Sequence, residues 1–296
     1  MKSEGTAPYE TRLRFFLPSE ALTPFISTYY YMEVASASGE VVQDYLHPEW
    51  ANIRIAHDSD LEAQIGNGQS KRAPESLVVG PTSFATRFAL TRGKFWGIGL
   101  LPLGWARFIA RPANEYADQV HDMLEGEEFS PFQDLTGMLH RSGASLAQQA
   151  AIIDSHLLDR IGPEHHDDAD IGRALEALND TTCSTVAAMS ERSGVKVRTL
   201  ERLSRRAFGF TPKLLLRRQR FLRSLAQFML DPKLSWLNTL DFHYHDQAHF
   251  VRDFKRFMTM TPNQYRNMAH PILMAAARAR MEIAGQAVQG LHGSSE

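Results

Sequence analysis

Residues 184–212 read STVAAMSERSGVKVRTLERLSRRAFGFTP, and residues 235–262 read SWLNTLDFHYHDQAHFVRDFKRFMTMTP. Aligned at an offset of 50 residues, the two stretches share apolar, basic and Thr-Pro positions. The matched positions are Leu200 with Phe250, Arg202 with Arg252, Arg205-Arg206 with Lys255-Arg256, and Thr211-Pro212 with Thr261-Pro262. This internal similarity indicates one supersecondary unit that occurs twice.

Each stretch contains a short apolar helix, a tight turn and a basic helix, in that order. In the first stretch these are predicted at Ser184–Arg192, Ser193-Gly194 and Arg198–Phe208. In the second they are predicted at Ser235–Asp241, His243–His245 and Asp246–Met258. This order is typical of the helix-turn-helix, whose second helix enters the major groove of DNA.

Helical spacing divides each basic helix into an apolar and a basic face, because successive residues are rotated by about 100°. The apolar faces consist of Leu200, Leu203 and Ala207 in the first helix and of Phe250, Phe254 and Phe257 in the second. The basic faces consist of Arg198, Arg202, Arg205 and Arg206, and of Arg252, Lys255 and Arg256. An ordinary amphipathic helix explains one such pattern, but two with the same turn favour DNA binding.

The segment between the two units, Pro212–Leu230, is predicted to form one helix that ends before Asp231-Pro232. Thr211-Pro212 and Thr261-Pro262 each place a capping hydroxyl before a proline in the first helical position, which is a strong helix start. A helix of this length spans roughly 25–30 Å. It can therefore hold the two basic helices about one DNA turn, ~34 Å, apart.

The charge of the chain is distributed unevenly. Residues 1–170 contain 13 lysines and arginines against 24 acidic residues, a net charge of −11, whereas residues 171–270 contain 17 against 8, a net charge of +9. A basic block beside an acidic block favours a polyanionic partner for the basic part. From charge alone, a solvated helical surface is the simpler explanation, because arginine is common on helices.

Composition excludes several classes of protein. An apolar fraction of 43% and a charged fraction of 22% are typical of a globular chain. The single cysteine, Cys183, excludes an intramolecular disulfide and a cysteine-based metal site. The polar start Met1–Arg12 does not resemble a signal peptide, and apolar stretches such as Phe95–Leu103 fall far short of ~18–20 residues. We therefore expect a cytoplasmic protein without a membrane segment.

The first hundred residues favour strands, and the following sixty favour helices. Strands are predicted at Asn52–Ala56, Leu77–Val79, Thr86–Leu90 and Phe95–Leu100, between Gly-, Pro- and Asn-rich turns. Helices are predicted at Gly104–Ala110, Pro131–Arg141 and Ala144–Ile161. Short strands at this spacing are typical of a sandwich or barrel.

The predicted fold class is therefore α+β, with a β-rich N-terminal domain and an all-α C-terminal domain. We expect an effector or dimerisation domain at 1–162, a linker at 163–169, a DNA-binding domain at 170–270 and a helical tail at 271–296. Within the linker, His165-His166-Asp167-Asp168 has the residue types of a metal site, but nothing fixes a ligand geometry. Within the tail, Ile272–Val288 is predicted to form a helix.

The C-terminal third resembles the AraC-type family of bacterial transcription regulators. The resemblance covers about Ile171 to Arg266, and its most specific pieces are Gly194–Leu203, Gly209–Pro212, Tyr244–Phe254 and Thr261–Arg266. The chain departs from the family at several positions: Lys196 stands where a capping Ser is common, Ser204 where Phe is common, His243 and Thr259 where Gly is usual, and Ala248 where Ser is usual.

The resemblance implies that each basic helix contacts one major-groove segment of the same DNA face. By position, it assigns base contacts to Arg198, Glu201 and Arg202 in the first helix and to Gln247, Ala248 and Arg252 in the second. It assigns phosphate contacts to Arg205, Arg206, Lys255, Arg256 and Thr261. A salt bridge between Glu201 and Arg205 is the slightly favoured alternative role of Glu201, and His249 is expected to pack or cap.

The stretch Gly97–Ile109, with Val79-Gly80-Pro81 upstream, resembles a β-rich sensor domain that is fused to some AraC-type proteins and has no assigned effector. A small barrel could hold a ligand in its mouth. His47, Trp50, Arg54 and Trp96 are the candidate lining residues, although core or rim positions explain them better.

The leading hypothesis is a sequence-specific transcription regulator that is not an enzyme and has no cofactor, metal site or catalytic residue. Its expected partners are double-stranded DNA and a second copy in a homodimer, with RNA polymerase and a small-molecule effector left open. One alternative is a cupin-like metal enzyme with a DNA-binding tail, in which His47, Glu49 and His57 supply ligands, although no His-x-His spacing supports it. Another is a nonspecific architectural DNA-binding protein.

Overall fold

The computed structural model describes residues 9–141, 143–230, 240–244 and 246–291. Most of the predicted helix Ser235–Asp241, the Asp231-Pro232 break and His245 of the second predicted turn lie outside these residues. The same holds for most of the tail end Gly290–Glu296.

The N-terminal part contains ten strands within the described residues, arranged in two antiparallel sheets. They are β1 (Glu10–Phe16), β2 (Ile26–Ala35), β3 (Val42–Leu46), β4 (Asn52–His57), β5 (Glu62–Ile65), β6 (Lys71–Arg72), β7 (Ser76–Val79), β8 (Thr86–Leu90), β9 (Arg92–Leu100) and β10 (Val120–Asp122). One sheet has the order β1-β2-β9-β4-β7-β10 and the other the order β3-β8-β5-β6. The predicted β-rich domain is confirmed, and its four predicted strands lie in β4, β7, β8 and β9.

The missing side chain at Gly97 makes room for the aromatic ring of Tyr30 on the neighbouring strand. Gly97 on β9 lies opposite Tyr30 on β2, and a Cβ atom on Gly97 would lie 2.0 Å from the Tyr30 ring. The Tyr30 ring therefore lies across the sheet backbone, where its hydroxyl accepts a hydrogen bond from Arg54 Nε at 2.8 Å.

Helices cover one face of the larger sheet. After β9 come α1 (Pro102–Gly104), a π-helical turn (Trp105–Ile109), α2 (Ser130–Arg141) and α3 (Leu146–Leu158). Phe132, Leu135 and Leu157 on these helices share one buried cluster with Ile53 and Ile98 of the sheet. The predicted helices are confirmed at these places, and α3 starts with a capping box between Ser145 and Gln148.

The C-terminal part is helical. Its elements are α4 (Asp168–Asn179), α5 (Val186–Ser193), α6 (Val197–Leu203), a π-helical turn (Ser204–Phe208), α7 (Pro212–Leu230), α8 (Gln247–Met258), α9 (Pro262–Arg266), α10 (Pro271–Ala284) and a 3-10 turn (Gln289–Leu291). The prediction for α7 is exact. The predicted helix Ile272–Val288 is shorter in the structure, because α10 ends at Ala284 and the next residue, Gly285, has a left-handed φ of 66°.

The two parts share buried polar contacts. Arg218 on α7 is fully buried, lies 3.9 Å from the centre of the Trp50 ring and donates to the Thr82 carbonyl at 2.9 Å. At the start of α10, the Asp44 carboxylate accepts from the backbone N–H groups of Ile272 and Leu273 at 2.9 and 2.8 Å. Because Asp44 belongs to β3, the N-terminal sheet caps a C-terminal helix.

Candidate nucleic-acid interface

The first helix-turn-helix unit is α5, a turn at Gly194 and α6 with its π-helical extension. Thr185 caps α5, since its hydroxyl accepts from the Ala188 N–H at 3.1 Å. Gly194 ends α5 with a φ of 67°, a conformation that glycine adopts without strain. The chain then turns directly into α6, which begins at Val197.

The α6 helix has one buried and one exposed face. Leu200, Leu203 and Ala207 are buried in a cluster that also contains Trp50 and Leu101 of the N-terminal part. The predicted base-contacting residues Arg198, Glu201 and Arg202 are exposed. The predicted division into two faces is confirmed, and the charged side chains are available to a partner.

The second basic helix, α8, has the same arrangement. Asp246 caps it by accepting from the His249 N–H at 2.6 Å. Phe250, Phe254 and Phe257 are each 0% exposed. Gln247, Ala248 and Arg252, the predicted base-contacting residues of this unit, are exposed.

The five predicted phosphate contacts are placed less uniformly. Arg205, Arg206, Lys255 and Arg256 are exposed. Among them Arg206 forms an ion pair with Asp167 at 2.9 Å, and the Arg256 guanidinium lies 5.3 Å from the centre of the Phe84 ring. The Thr261 hydroxyl is engaged as the cap of α9, where it accepts from the Gln264 N–H at 3.2 Å.

Two smaller expectations concern single side chains. The expected salt bridge between Glu201 and Arg205 is not among the ion pairs of the described residues. From α6 and its π-helical extension, only Arg206 takes part in one of these ion pairs. His249 packs edge-on against the Tyr244 ring, and its Nε2 lies 3.1 Å from Arg220 Nη2.

A buried carboxylate that the sequence interpretation missed fixes α8 on α7. Asp253 is 0% exposed and pairs with Arg217 Nε at 2.5 Å and with Arg220 Nη2 at 3.1 Å. It also accepts from the Tyr244 hydroxyl at 3.0 Å. Arg217 and Arg220 are three residues apart on a predicted helix, so they share a face, but the sequence does not show which acid they meet.

The N-terminal part borders the first unit. Pro112, Asn114 and Glu115 line the same open hollow as Arg198 and Arg202. Gly209, after the π-helical turn, has a φ of 83°, and a Cβ atom there would lie 2.5 Å from Pro81 Cγ. The first unit therefore lies tightly against the N-terminal part, with an exposed carboxylate beside its basic face.

A cavity of about 150 Å³ lies between the two sheets and α10. His47 and Arg54 line it, as the sequence suggested, whereas Trp50 and Trp96 are absent from its lining. Trp50 packs on Arg218, and the Trp96 indole donates to Gln149 Oε1 at 2.6 Å. The lining is mainly apolar, with a few polar side chains. Its residues come from the N-terminal sheets and from α10 and the segment after it.

His47 and Arg54 have different electrostatic surroundings in this cavity. Burial lowers the pKa of His47 to about 3, and its Nε2 lies 2.8 Å from the Tyr265 hydroxyl. Arg54 pairs with Glu49 at 2.5 Å. The imidazole is therefore neutral near pH 7, while Arg54 is a cation with a matched anion.

The side chains that would supply metal ligands in the metal-enzyme alternative, His47, Glu49 and His57, do not form one cluster. Within the described part of the chain, no three His, Cys, Asp or Glu side chains are grouped as metal ligands. His57 packs against the His140 ring, with 4.9 Å between the ring centres, whereas His47 contacts Tyr265.

None of the described helices combines the length and the apolar character needed to cross a bilayer.

Residues 189–268 match a protein family described as "Helix-turn-helix domain". The chain carries an AraC-type helix-turn-helix domain at its C-terminus. This domain supports a DNA-binding role in transcription regulation. Residues 14–122 match a second family, described as "Domain of unknown function (DUF6597)", so the β-rich domain brings no assigned effector with it.

Similar solved structures are distant. ToxT from Vibrio cholerae is 11% identical, with 90% of this chain and 99% of that chain covered and a TM-score of 0.40. A ToxT structure bound to (E)-4-(8-methylnaphthalen-1-yl)but-3-enoic acid is 11% identical, with coverages of 88% and 98% and a TM-score of 0.39. The AraC-like transcriptional activator CuxR is 11% identical, with coverages of 74% and 88% and a TM-score of 0.30. No curated protein matches the chain.

Proposed function

We propose that this regulator binds specific DNA sites by placing α6 in one major-groove segment and α8 in the next. The supporting observation is that both helices bury their apolar face and expose the opposite, charged face. Exposed arginines can donate two hydrogen bonds to guanine, and Gln247 can pair with adenine in the same way.

The length of α7, the helix between the two units, determines the expected spacing of the two DNA segments. α7 has 19 residues, which corresponds to roughly 28 Å at 1.5 Å per residue. The ion pairs of Asp253 hold α8 against it. Two recognition helices held rigidly at this scale suit groove segments about one DNA turn apart, ~34 Å.

The N-terminal domain is proposed to modulate DNA binding by taking up a ligand or by contacting a second copy of the chain. Its packing against α6, α7 and α10 provides a physical route for such coupling, because a ligand that favours one arrangement shifts the population of that arrangement. A homodimer, contact with RNA polymerase, a cytoplasmic location and the absence of catalysis stay predictions, as do the domain boundaries 1–162, 163–169, 170–270 and 271–296.

The test is selection of binding sites from a random duplex pool by the full-length protein at ~150 mM salt, because nonspecific affinity falls steeply with salt. We expect an enriched motif of two short blocks about one helical turn apart. Weak binding without enrichment, lost as the salt concentration rises, would instead support the nonspecific architectural protein.

A further inference from the structure

The cavity between the sheets and α10 has an unbalanced charge. Five titratable side chains line it within the described residues: Tyr30, His47, Glu49, Arg54 and Arg280. Arg54 and Glu49 form an ion pair, and burial keeps Tyr30 and His47 neutral by raising the pKa of the first and lowering the pKa of the second. Arg280 is the remaining charge, so the lining has a net charge of about +1 near neutral pH.

Arg280 is buried and only partly hydrogen-bonded. Its side chain belongs to a residue that is 6% exposed, and its Nη1 donates to Thr28 Oγ1 at 2.6 Å. Its Nε and Nη2 have no hydrogen-bond partner among the described residues. Burial lowers the pKa of Arg280 to about 10, which still leaves the guanidinium protonated at pH 7.

This arrangement is costly without an anion. A buried charge is destabilising unless it is paired and hydrogen-bonded. Nε and Nη2 form one edge of the guanidinium, and this edge matches the two oxygens of a carboxylate. The two unpartnered groups therefore have the geometry of a carboxylate-binding fork.

The rest of the lining limits the size and the polarity of the part of the anion that carries the carboxylate. Most of the remaining lining is apolar, with Phe15, Phe88 and Phe95 among its side chains. A dry apolar cavity of about 150 Å³ is large enough for a benzene-sized molecule, and this cavity has that volume. Long or strongly polar molecules do not fit this description.

We propose that the cavity binds a small organic carboxylate with an apolar body about the size of one benzene ring, and that Arg280 is its counter-ion. This names the ligand class of the modulation proposed above, and its regulatory consequence rests on that function.

The position of Arg280 connects the ligand to the second recognition helix. On the same helix, Leu273 and Ala277 belong to the apolar cluster that contains Phe254, Phe257 and Tyr265. The start of the helix is capped by Asp44 from the sheet. A carboxylate on Arg280 therefore stabilises α10 in the position that supports α8.

The test is calorimetric titration of the full-length protein with benzoate and phenylacetate, and with benzamide and benzylamine as neutral and cationic matches. We expect saturable binding of a carboxylate, roughly tenfold to a hundredfold weaker binding of benzamide, as expected for a charge-assisted hydrogen bond, and no binding of benzylamine. Arg280→Met is expected to remove the preference for the carboxylate. Arg278→Met, which changes an exposed arginine on the same helix, is the matched control and should keep it.

A second variant keeps the result interpretable. If Arg280→Met does not fold, as judged by its thermal unfolding, Arg280→Lys keeps the charge but loses the planar fork, and it is expected to bind carboxylates at least several-fold more weakly. Failure of both carboxylates to bind saturably overturns the proposal, as does equal binding of benzamide or undiminished binding by the Arg280 variants.

Site selection without added ligand separates this inference from the proposed function. Enrichment of a DNA motif together with no carboxylate binding removes the cavity inference alone. Carboxylate binding by a protein that enriches no motif supports the site and removes the sequence-specific function.

Discussion

The two basic helices, α6 and α8, have matching sequences but are held in the molecule by different forces. At equivalent positions, 50 residues apart, the first unit has Leu203 and the second has Asp253. Leu203 is 1% exposed in an apolar cluster, whereas Asp253 is 0% exposed between two arginines of α7. The same position thus stabilises one unit by apolar burial and the other by buried ion pairs.

The ends of the two basic helices differ as well. Lys196 precedes α6 without a capping hydrogen bond from its side chain, whereas its equivalent Asp246 caps α8. Gly209 follows the first helix at a φ of 83°, and its equivalent Thr259 follows the second at a φ of 58°. The two basic helices therefore share their buried and exposed faces, while the local chemistry at their ends differs.

The largest effects are expected from removing these two buried side chains. Asp253→Ala leaves the buried part of two guanidinium groups unpaired, and the expected loss in the free energy of unfolding is about 3 kcal/mol. Leu203→Ala creates a cavity, with an expected loss of about 2–5 kcal/mol. Urea unfolding measures both, and DNA footprinting should show that Asp253→Ala loses protection of one block and Leu203→Ala loses protection of the other.

Glu282→Ala, which removes an exposed carboxylate from α10, is the control and should change neither measurement. If Asp253→Ala unfolds at the same urea concentration as the unsubstituted chain, the ion pairs contribute little and the contrast between the units disappears.

The next largest effect concerns base recognition. Arg198→Ala and Arg252→Ala should each cost about 1–3 kcal/mol of binding free energy and relax the base preference of a different block. Repeating the site selection with each variant measures this. Relaxation of the same block by both variants would contradict one groove segment per helix.

Much of the helical half could be predicted from the sequence, because helical periodicity and caps are local. Pro212–Leu230 has its predicted bounds, and the buried and exposed faces of α6 and α8 are as predicted. The same periodicity places Arg198 and Arg252 on the exposed faces, whereas their role as candidate base contacts comes from the resemblance to the AraC-type family. Their exposure agrees with the prediction, whereas their contact with bases is untested.

The interdomain contacts could not be predicted in this way. Asp44 and Ile272 are distant in sequence, and nothing local in Asp44 indicates that it caps α10. Arg280 lies in an alanine-rich stretch that suggested only a helical tail, and its place in the cavity depends on how that helix returns to the sheets. Trp50 and Trp96 were predicted as pocket residues from their type alone, which does not distinguish a lining from a core position.

A smaller effect is expected where the units differ in backbone conformation. Thr259→Gly removes the cost of a left-handed threonine, roughly 1–2 kcal/mol, but loses the 2.7 Å hydrogen bond from the Thr259 hydroxyl to the Met258 carbonyl and adds the entropy cost of glycine. After these two losses, the expected net gain in the free energy of unfolding is at most about 0.5 kcal/mol, measured by urea unfolding.

The reverse substitution at the equivalent position is the comparison for this effect. Gly209→Ala adds a Cβ atom at a left-handed φ and against Pro81, so it should destabilise the protein by more than the gain at Thr259. A gain from Gly209→Ala would show that the first unit is not held as tightly against the N-terminal part as its packing indicates.

The smallest effect tests whether the N-terminal part lowers the affinity of the first unit for DNA. Exposed Glu115 lies at the hollow beside Arg198 and Arg202, where its charge opposes that of the phosphates. Glu115→Gln should therefore raise DNA affinity about twofold to threefold at low salt, and less at 150 mM, because exposed charges are screened. Glu125→Gln, an exposed acid outside this hollow, is the control. Equal gains from both variants would mean that total charge is responsible, whereas a gain from Glu115→Gln alone, confined to the block that α6 contacts, would show that the N-terminal part acts on one unit and not on the other.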